Sequence, residues 1–319
     1  MYENKCVIGI DIGGTITKSA ILNRSAEILF RKEIKTLPRR SAERIIKDVD
    51  LLIGECEKKA DVSGIDVIGI GIILAGYPDE NGIISFIPNI PSLTSFPIRK
   101  YLSKHRKTPI IFENDGNAAA YGEYIFGQRK RIKNIIVLSL GTGIGSGVII
   151  NGKILKGKAG ISGELGHITL NHKGPECVCG KNGCLESYFS AYAIKRITEE
   201  YLNRNTKAKT TLRNYDIKDI TPSDVAIEAE RGDKISKHIF DYSGKWLGIG
   251  ISIMINSFNP DKLIIAGGLS KSSNLYIKQV KIQAEKNIHS QFINNTIIEK
   301  SKFADKLGII SAASLFFNP

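Results

Sequence analysis

The chain of 319 residues lacks any long apolar run. Its longest mainly apolar stretch, Val67 to Tyr77, is broken by glycines and falls far short of the roughly 18 to 20 residues that cross a bilayer. A membrane span is therefore excluded. Cysteine is scarce as well. Five residues, unevenly placed, are too few for a disulfide scaffold. Met1 to Cys6 is polar and leads straight into a strand containing Asp11, so no signal peptide is expected and the expected location is the cytoplasm. Acidic residues are in deficit, 32 against 45 Lys and Arg, which leaves a formal net charge of +13. That surplus raises the question of a nucleic-acid partner. The basic residues are scattered, however, with small clusters at Arg39-Arg40 and Arg129 to Lys133 and no stripe interleaved with aromatics, so none is expected. The charge reads as a solvated surface that helps to draw in anionic ligands.

What is present suits a folded α/β protein. Hydrophobic residues make up 42%, enough for buried cores, and the length suits two domains. Val7 to Leu22 reads as two strands joined by a tight turn at Gly13-Gly14. Arg39 to Ala60 has apolar residues at helical spacing, and Val67 to Ala75 is a strand covered on both faces. Asp79 to Pro97 reads as a loop. Ile110 to Glu113 is a strand ending in Asn114-Asp115, with a small-residue helix from about Asn117. The pattern then begins again: a strand at Ile135 to Leu140, a glycine turn at Gly141 to Gly147 and a strand at Val148 to Ile150. At an offset of 128 residues Ile12-Gly13 falls on Leu140-Gly141, and Ile21-Leu22-Asn23 on Ile149-Ile150-Asn151. Two related domains facing one cleft are the expected organisation. Thr221-Pro222 opens a helix, Asp233 to Phe258 is a long buried helix, Leu263 to Ala266 is a strand, and a helix at about Lys306 to Phe317 closes the chain.

Three groups of residues carry chemistry. Asp11-Ile12-Gly13-Gly14-Thr15 and Gly141-Thr142-Gly143 are turns in which backbone N–H groups can converge on phosphate, with the Thr15 and Thr142 hydroxyls as further donors. Asp11 is placed to hold Mg²⁺ directly or through water. No Gly-Lys-Ser/Thr closes either turn and no convincing helix follows, so Walker and Rossmann loops are not matched. Asp115, at a strand end before a helix, is placed to accept the proton of an attacking hydroxyl, or merely to cap the helix. Finally, Cys177, Cys179 and Cys184 fall within eight residues, with His167 ten residues earlier. One imidazole and three thiolates make a closed, structural zinc site. Glu164 and Glu186 flank it and suit a polyhydroxylated ligand, because carboxylates accept from sugar hydroxyls.

These residues resemble the ROK family of sugar kinases. The matches run in family order: DIGGTITK from Asp11 to Lys18, Asn89-Ile90-Pro91, ENDGNAAA from Glu113 to Ala120, and LGTGIGSG from Leu140 to Gly147. GISGELGH from Gly160 to His167, CVCGKNGCLE from Cys177 to Glu186 and NPDKLIIAGGLS from Asn259 to Ser270 complete them. The resemblance implies the duplicated, ribonuclease H-like α/β fold of actin and hexokinase, with two domains around a cleft. A smaller domain would span 1–116, completed by 305–319, and a larger one 117–304. It further implies that Asp115 is the general base. Asn89, Asn114, Glu164, His167 and Glu186 would bind sugar hydroxyls. His167, Cys177, Cys179 and Cys184 would ligate Zn²⁺. Asp11, Gly13, Gly14, Thr15, Thr142 and Gly143 would surround ATP phosphates and Mg²⁺, with Gly267 and Gly268 near the nucleoside. Three positions depart from the family pattern. Ile16-Thr17 separate Lys18 from the glycine turn, so no direct contact from Lys18 to phosphate is expected. Gly116 stands where alanine is usual, and Ser146 where glycine is usual.

The expected reaction is transfer of the ATP γ-phosphoryl group to the 6-hydroxyl of a hexose, with glucose first and N-acetylmannosamine or N-acetylglucosamine as the alternative. A sugar-responsive ROK regulator is the non-enzyme alternative. It is disfavoured here, because the first phosphate motif begins at Asp11 and leaves no room ahead of it for a helix-turn-helix. By family analogy a homodimer is expected.

Overall fold

The computed structural model describes residues 5–87, 89–128, 131–158 and 160–317. The elements in chain order begin with β1 (Lys5–Ile12), β2 (Ile16–Asn23), β3 (Ile28–Lys35), α1 (Ala42–Val62), β4 (Asp66–Leu74) and α2 (Ile98–Leu102). Next come β5 (Ile110–Asn114), α3 (Asp115–Gly122), β6 (Ile135–Leu140), β7 (Ile144–Ile150), β8 (Lys153–Ile154) and α4 (Ala191–Arg204). Last are α5 (Pro222–Glu230), α6 (Lys234–Phe258), β9 (Lys262–Ala266), α7 (Ile277–Asn287), β10 (Ile297–Lys300) and α8 (Leu307–Ser314). Contacts group the chain into two compact units. The first holds Met1–Lys133, Gly147–Gly163 and Asp305–Pro319, and the second Asn134–Ser146 and Glu164–Ala304. The expected boundary after residue 116 falls inside α3, which packs with α8 in the first unit. No helix among the described residues is long and apolar enough to cross a membrane.

Two five-stranded mixed sheets form, ordered β3-β2-β1-β4-β5 and β10-β9-β6-β7-β8. In the first, β1 pairs antiparallel with β2 and parallel with β4, and β4 pairs parallel with β5. Strand alternation then sorts the side chains. Ile8, Ile10 and Ile12 of β1 join Ile70, Ile72 and Leu74 of β4 in one core with Ile45, Ile46, Val49 and Ile53 of α1. The opposite face carries Gly9 and Gly71, and there α8 lies directly on the sheet. A Cβ on Gly9 would stand 2.5 Å from the Ile309 carbonyl, and one on Gly71 would collide with the Ala312 carbonyl. Gly71→Ala must therefore push α8 off the sheet. A loss of about 1–3 kcal/mol is expected for such overpacking, read as a fall of several degrees in thermal melting. An unchanged melting temperature would mean that α8 does not pack there.

The loop at 79–97 is pinned by its own apolar residues. Ile84, Ile87, Ile90 and Leu93 are all buried in the same core. They leave Asn89 exposed between them.

Some expectations change. The helix expected from Arg39 starts at Ala42, after an extended Ser41. The second glycine turn is shorter than expected. β7 begins at Ile144, so only Gly141–Gly143 form the turn, while Gly145 and Gly147 belong to the strand. This brings the repeat into closer register, because three residues separate the strands in both hairpins. β3, α4, α7 and β10 are additions. β3 carries the charged run Arg31-Lys32-Glu33 on an exposed edge, which hides its alternation. Of the basic clusters, Arg40 is paired with Asp48 and donates to the Thr36 carbonyl at 3.2 Å. Arg129 and Lys130 lie outside the described residues.

Candidate active site and metal centre

In the first unit, the β1–β2 turn is stapled from outside. Buried Thr36 donates through its hydroxyl to the Gly13 carbonyl at 2.6 Å, and its backbone N–H donates to the Thr15 carbonyl at 2.9 Å. Thr15 stays exposed at the tip. Asn89 lies beside this turn: a Cβ on Gly14 would be 3.2 Å from the Asn89 Cβ. Lys18 stands opposite Asp11 in the β1–β2 ladder, and its charge acts on that carboxylate.

Asp11 belongs to the β1 face that receives α8, and Gly308 in the first turn of α8 lies against its carboxylate. Burial pushes the Asp11 carboxyl up to about 6, with Lys18 working downward and the Asp115 charge upward. The folded state therefore binds the proton more tightly than the unfolded chain does. Stability from this group is complete below about pH 4 and is lost as pH rises through about 6, a swing of about 3 kcal/mol at most. Asp11→Asn is expected to raise the melting temperature at pH 8 and to leave it unchanged near pH 4. An equal effect at both pH values would contradict the burial of this carboxylate.

At the end of β5, three consecutive side chains are ordered around the start of α3. Asn114 caps the helix by accepting from Asn117 N–H at 3.0 Å, and its amide donates to the Gly76 carbonyl at 3.0 Å. Glu113 accepts from Asn114 N–H and from the Asn117 side-chain amide, and pairs with Lys156 at 2.6 Å. The cap is thus Asn114, not Asp115. Asp115 is exposed at the first helical position and accepts from Gly116 N–H at 2.9 Å. Glu113 and Lys156 were not singled out from the sequence. The only signal was the i, i+4 spacing of Glu113 and Asn117 in ENDGN.

In the second unit, the β6–β7 turn closes with Gly141 N–H donating to the Gly143 carbonyl at 2.9 Å. Ala191 N–H at the start of α4 donates to the Gly141 carbonyl, also at 2.9 Å. Buried Glu186 reaches this turn. One of its oxygens accepts from Ile144 N–H at 2.6 Å, and a side chain at Gly143 would collide with that oxygen. Glu186, expected on a sugar, is tied to the β6–β7 turn. Ser146 earns its departure from glycine by accepting from Leu165 N–H at 3.0 Å, which anchors the segment bearing Glu164 and His167. Gly267 follows β9 with φ of 84° against the backbone of Leu140, the last residue of β6.

His167, Cys177, Cys179 and Cys184 converge, with their ligand atoms within 4.8 Å of one another. Cys179 and Cys184 sulfurs are 3.7 Å apart, and Cys177 Sγ lies 3.6 Å from His167 Nδ1. Zn–S bonds of 2.3 Å and Zn–N bonds near 2.0 Å give tetrahedral edges of about 3.8 and 3.5 Å. The spacing thus matches a metal tetrahedron and is too long for a disulfide. Burial pushes the Cys177 and Cys184 thiols up. Burial also acts upward on Cys179, but hydrogen bonds from the Lys181 N–H and the other two thiols outweigh it and lower that thiol. A dication at the centre would favour all three thiolates. The donor set therefore fits zinc. With Nδ1 turned to the cysteines, His167 Nε2 lies 3.9 Å from the Glu164 carboxylate, so both are presented together.

The ROK family profile matches residues 7–318 of the chain. Glucokinase from Halalkalibacterium halodurans is 35% identical over 282 residues, covering 88% of this chain and 85% of that protein. The xylose repressor of Caldicellulosiruptor bescii is 28% identical over 312 residues, covering 97% of this chain and 77% of that protein. The crystal structure of a ROK family glucokinase from Streptomyces griseus, in complex with glucose and AMPPNP, superposes with a TM-score of 0.83. It is 29% identical and covers 97% of this chain and 98% of that one. Fold and site together define the class, an ATP-dependent sugar kinase of actin/hexokinase-like α/β fold. The chain belongs to the ROK family.

Proposed function

We propose that the chain transfers the γ-phosphoryl group of ATP to the 6-hydroxyl of a hexose, glucose in the first place. The observation that carries this reading is Asp115, an exposed carboxylate at the first position of α3, locked between a capped helix and the Glu113–Asn117 bonds. Asp115 accepts the proton of the attacking hydroxyl as the bond to phosphorus forms. Asn114, Asn89, Glu164, His167 and Glu186 orient the sugar through its hydroxyls. The two glycine turns hold the phosphates through backbone N–H groups, with Thr15 and Thr142 adding hydroxyl donors. Gly267 and Gly268 lie near the nucleoside. Mg²⁺ bound with ATP would neutralise phosphate charge, and Asp11 is the residue that would hold it. Zinc would fix the His167 loop through its four ligands. The division of labour follows the two-domain organisation expected from the sequence, and the setting is cytoplasmic, as ATP and reduced thiols require.

Glucose is supported by the 35% identity to a glucokinase. The competing substrates are N-acetylmannosamine and N-acetylglucosamine. Steady-state phosphorylation of glucose, mannose and the two N-acetyl sugars should rank glucose first by kcat/KM. An N-acetyl sugar ahead of glucose would replace the substrate and leave the kinase intact. Sugar binding without phosphorylation of any of the four would favour the regulator reading, which the match to the xylose repressor keeps in view.

A further inference from the structure

The second unit holds a cavity that none of the roles above uses. It has a volume of about 570 Å³, opens to solvent and lies between α4, α6 and the start of the cysteine loop at Lys173–Pro175. Lys173, Arg196 and Arg204 line it against a single carboxylate, Glu200, and the Tyr201 and Tyr242 rings form apolar wall. Arg196 is only partly engaged. Its Nη1 donates to Glu200 at 2.5 Å and its Nη2 to the Ser187 carbonyl at 2.8 Å, while its Nε is buried with no hydrogen-bond partner. A buried guanidinium N–H without an acceptor is costly. Arg204 Nη2 also lies 4.0 Å from Glu200, so one carboxylate is shared by two guanidinium groups, and Lys173 adds a third cation. That excess of positive charge suits an anionic ligand.

We propose that this cavity binds a phosphate monoester with a ring body. Arg196, Arg204 and Lys173 take the phosphate, and Tyr201 and Tyr242 pack against the ring. The excess of cations over the one carboxylate selects a dianion over a neutral sugar, and the volume lies within the roughly 300–1,000 Å³ of small-molecule sites. Arg196 also connects the cavity to the phosphate turn. Ser187, whose carbonyl it binds, follows Glu186, and Glu186 accepts from Ile144 N–H in β7. A ligand that redirects Arg196 therefore alters the support of that turn and shifts the KM for ATP. Only this kinetic consequence rests on the kinase reading; binding does not.

The test uses the chain's single tryptophan. Trp246 lies one turn along α6 from Tyr242 and stacks on Tyr188, with ring centroids 4.0 Å apart at 21°. Its fluorescence is followed as the full-length protein, without ATP or sugar, is titrated at constant ionic strength. The probes are a hexose 6-phosphate, a nucleoside monophosphate, inorganic phosphate and sulfate. A saturable change with a monoester, tighter than with inorganic phosphate, is expected. Arg204→Ala and Lys173→Ala should each weaken it about tenfold or more with melting temperature unchanged. The tighter monoester identifies the source as sugar phosphate or nucleotide. Binding untouched by both substitutions belongs to another site and overturns the proposal. So does an equal, unsaturated response to phosphate and sulfate, which is an ion atmosphere only.

Discussion

Asp115→Ala should lower kcat for sugar phosphorylation at least about a hundredfold, the low end for loss of a general base. The KM for ATP should change little, because the ATP phosphates are assigned to the glycine turns. Asp115 is exposed and does not cap α3, so its removal leaves the Asn114 cap and the Glu113–Asn117 bond in place. The melting temperature should accordingly stay within a degree or two of the parent. That separation makes the measurement decisive. A variant that retains near-normal turnover would remove Asp115 from the chemistry. One that loses turnover and melts early would show a structural part in its place. Asn114→Ala should behave in the second way, since it removes a helix cap worth about 1 kcal/mol and a bond to the Gly76 carbonyl.

Cys177→Ser should have the largest effect on stability. Metal analysis of the purified parent should find about one zinc per chain, and the variant should find far less, because one soft ligand of a closed set is lost. The loop between His167 and Cys184 has little core of its own. It is held by backbone bonds such as Leu170 N–H to the Gly183 carbonyl and by the four ligands. Loss of metal should therefore lower the melting temperature by about 10 °C or more, several kcal/mol at about 2–4 °C each. Because Glu186 follows Cys184 by two residues and accepts from Ile144 N–H, the damage should reach ATP as well as sugar. A raised KM for sugar alone would show that Glu186 keeps its place without the metal. Absence of zinc from the parent would dismiss the metal centre.

Much of this arrangement is legible in the sequence alone. The glycine turns announce themselves because glycines between apolar strands mark tight turns, and the structure leaves no room for a side chain there: a Cβ on Gly13 would stand 2.7 Å from the Ile16 carbonyl, and one on Gly143 would collide with Glu186. The cysteine cluster is equally plain, since soft ligands at that spacing have few other uses in a reducing compartment. Local rules also located the Thr221 cap and its proline, which form a capping box with Asp224. Other features left little trace. β3 and β10 are edge strands with exposed charged residues, so neither shows the alternation that marks a half-buried strand. The start of β7 is not legible locally, because glycine marks a turn in sequence whereas Gly145 and Gly147 lie in the sheet.

By itself the sequence determined the groups on which the proposal rests: two glycine turns, a carboxylate after β5, and one imidazole with three thiols. Those are choices of residue type at short spacing, and the side chains carry them wherever the chain goes. Only the tertiary structure decided how each group is tuned. α8, about 300 residues along the chain, returns to cover Asp11 and raises its carboxyl. Lys156 reaches Glu113 beside Asn114 and Asp115, and Ser146 takes the amide of Leu165. Glu186 joins the cysteine centre to the second glycine turn. Burial and partnership of this kind depend on what packs against a residue from distant parts of the chain, and no local spacing encodes that.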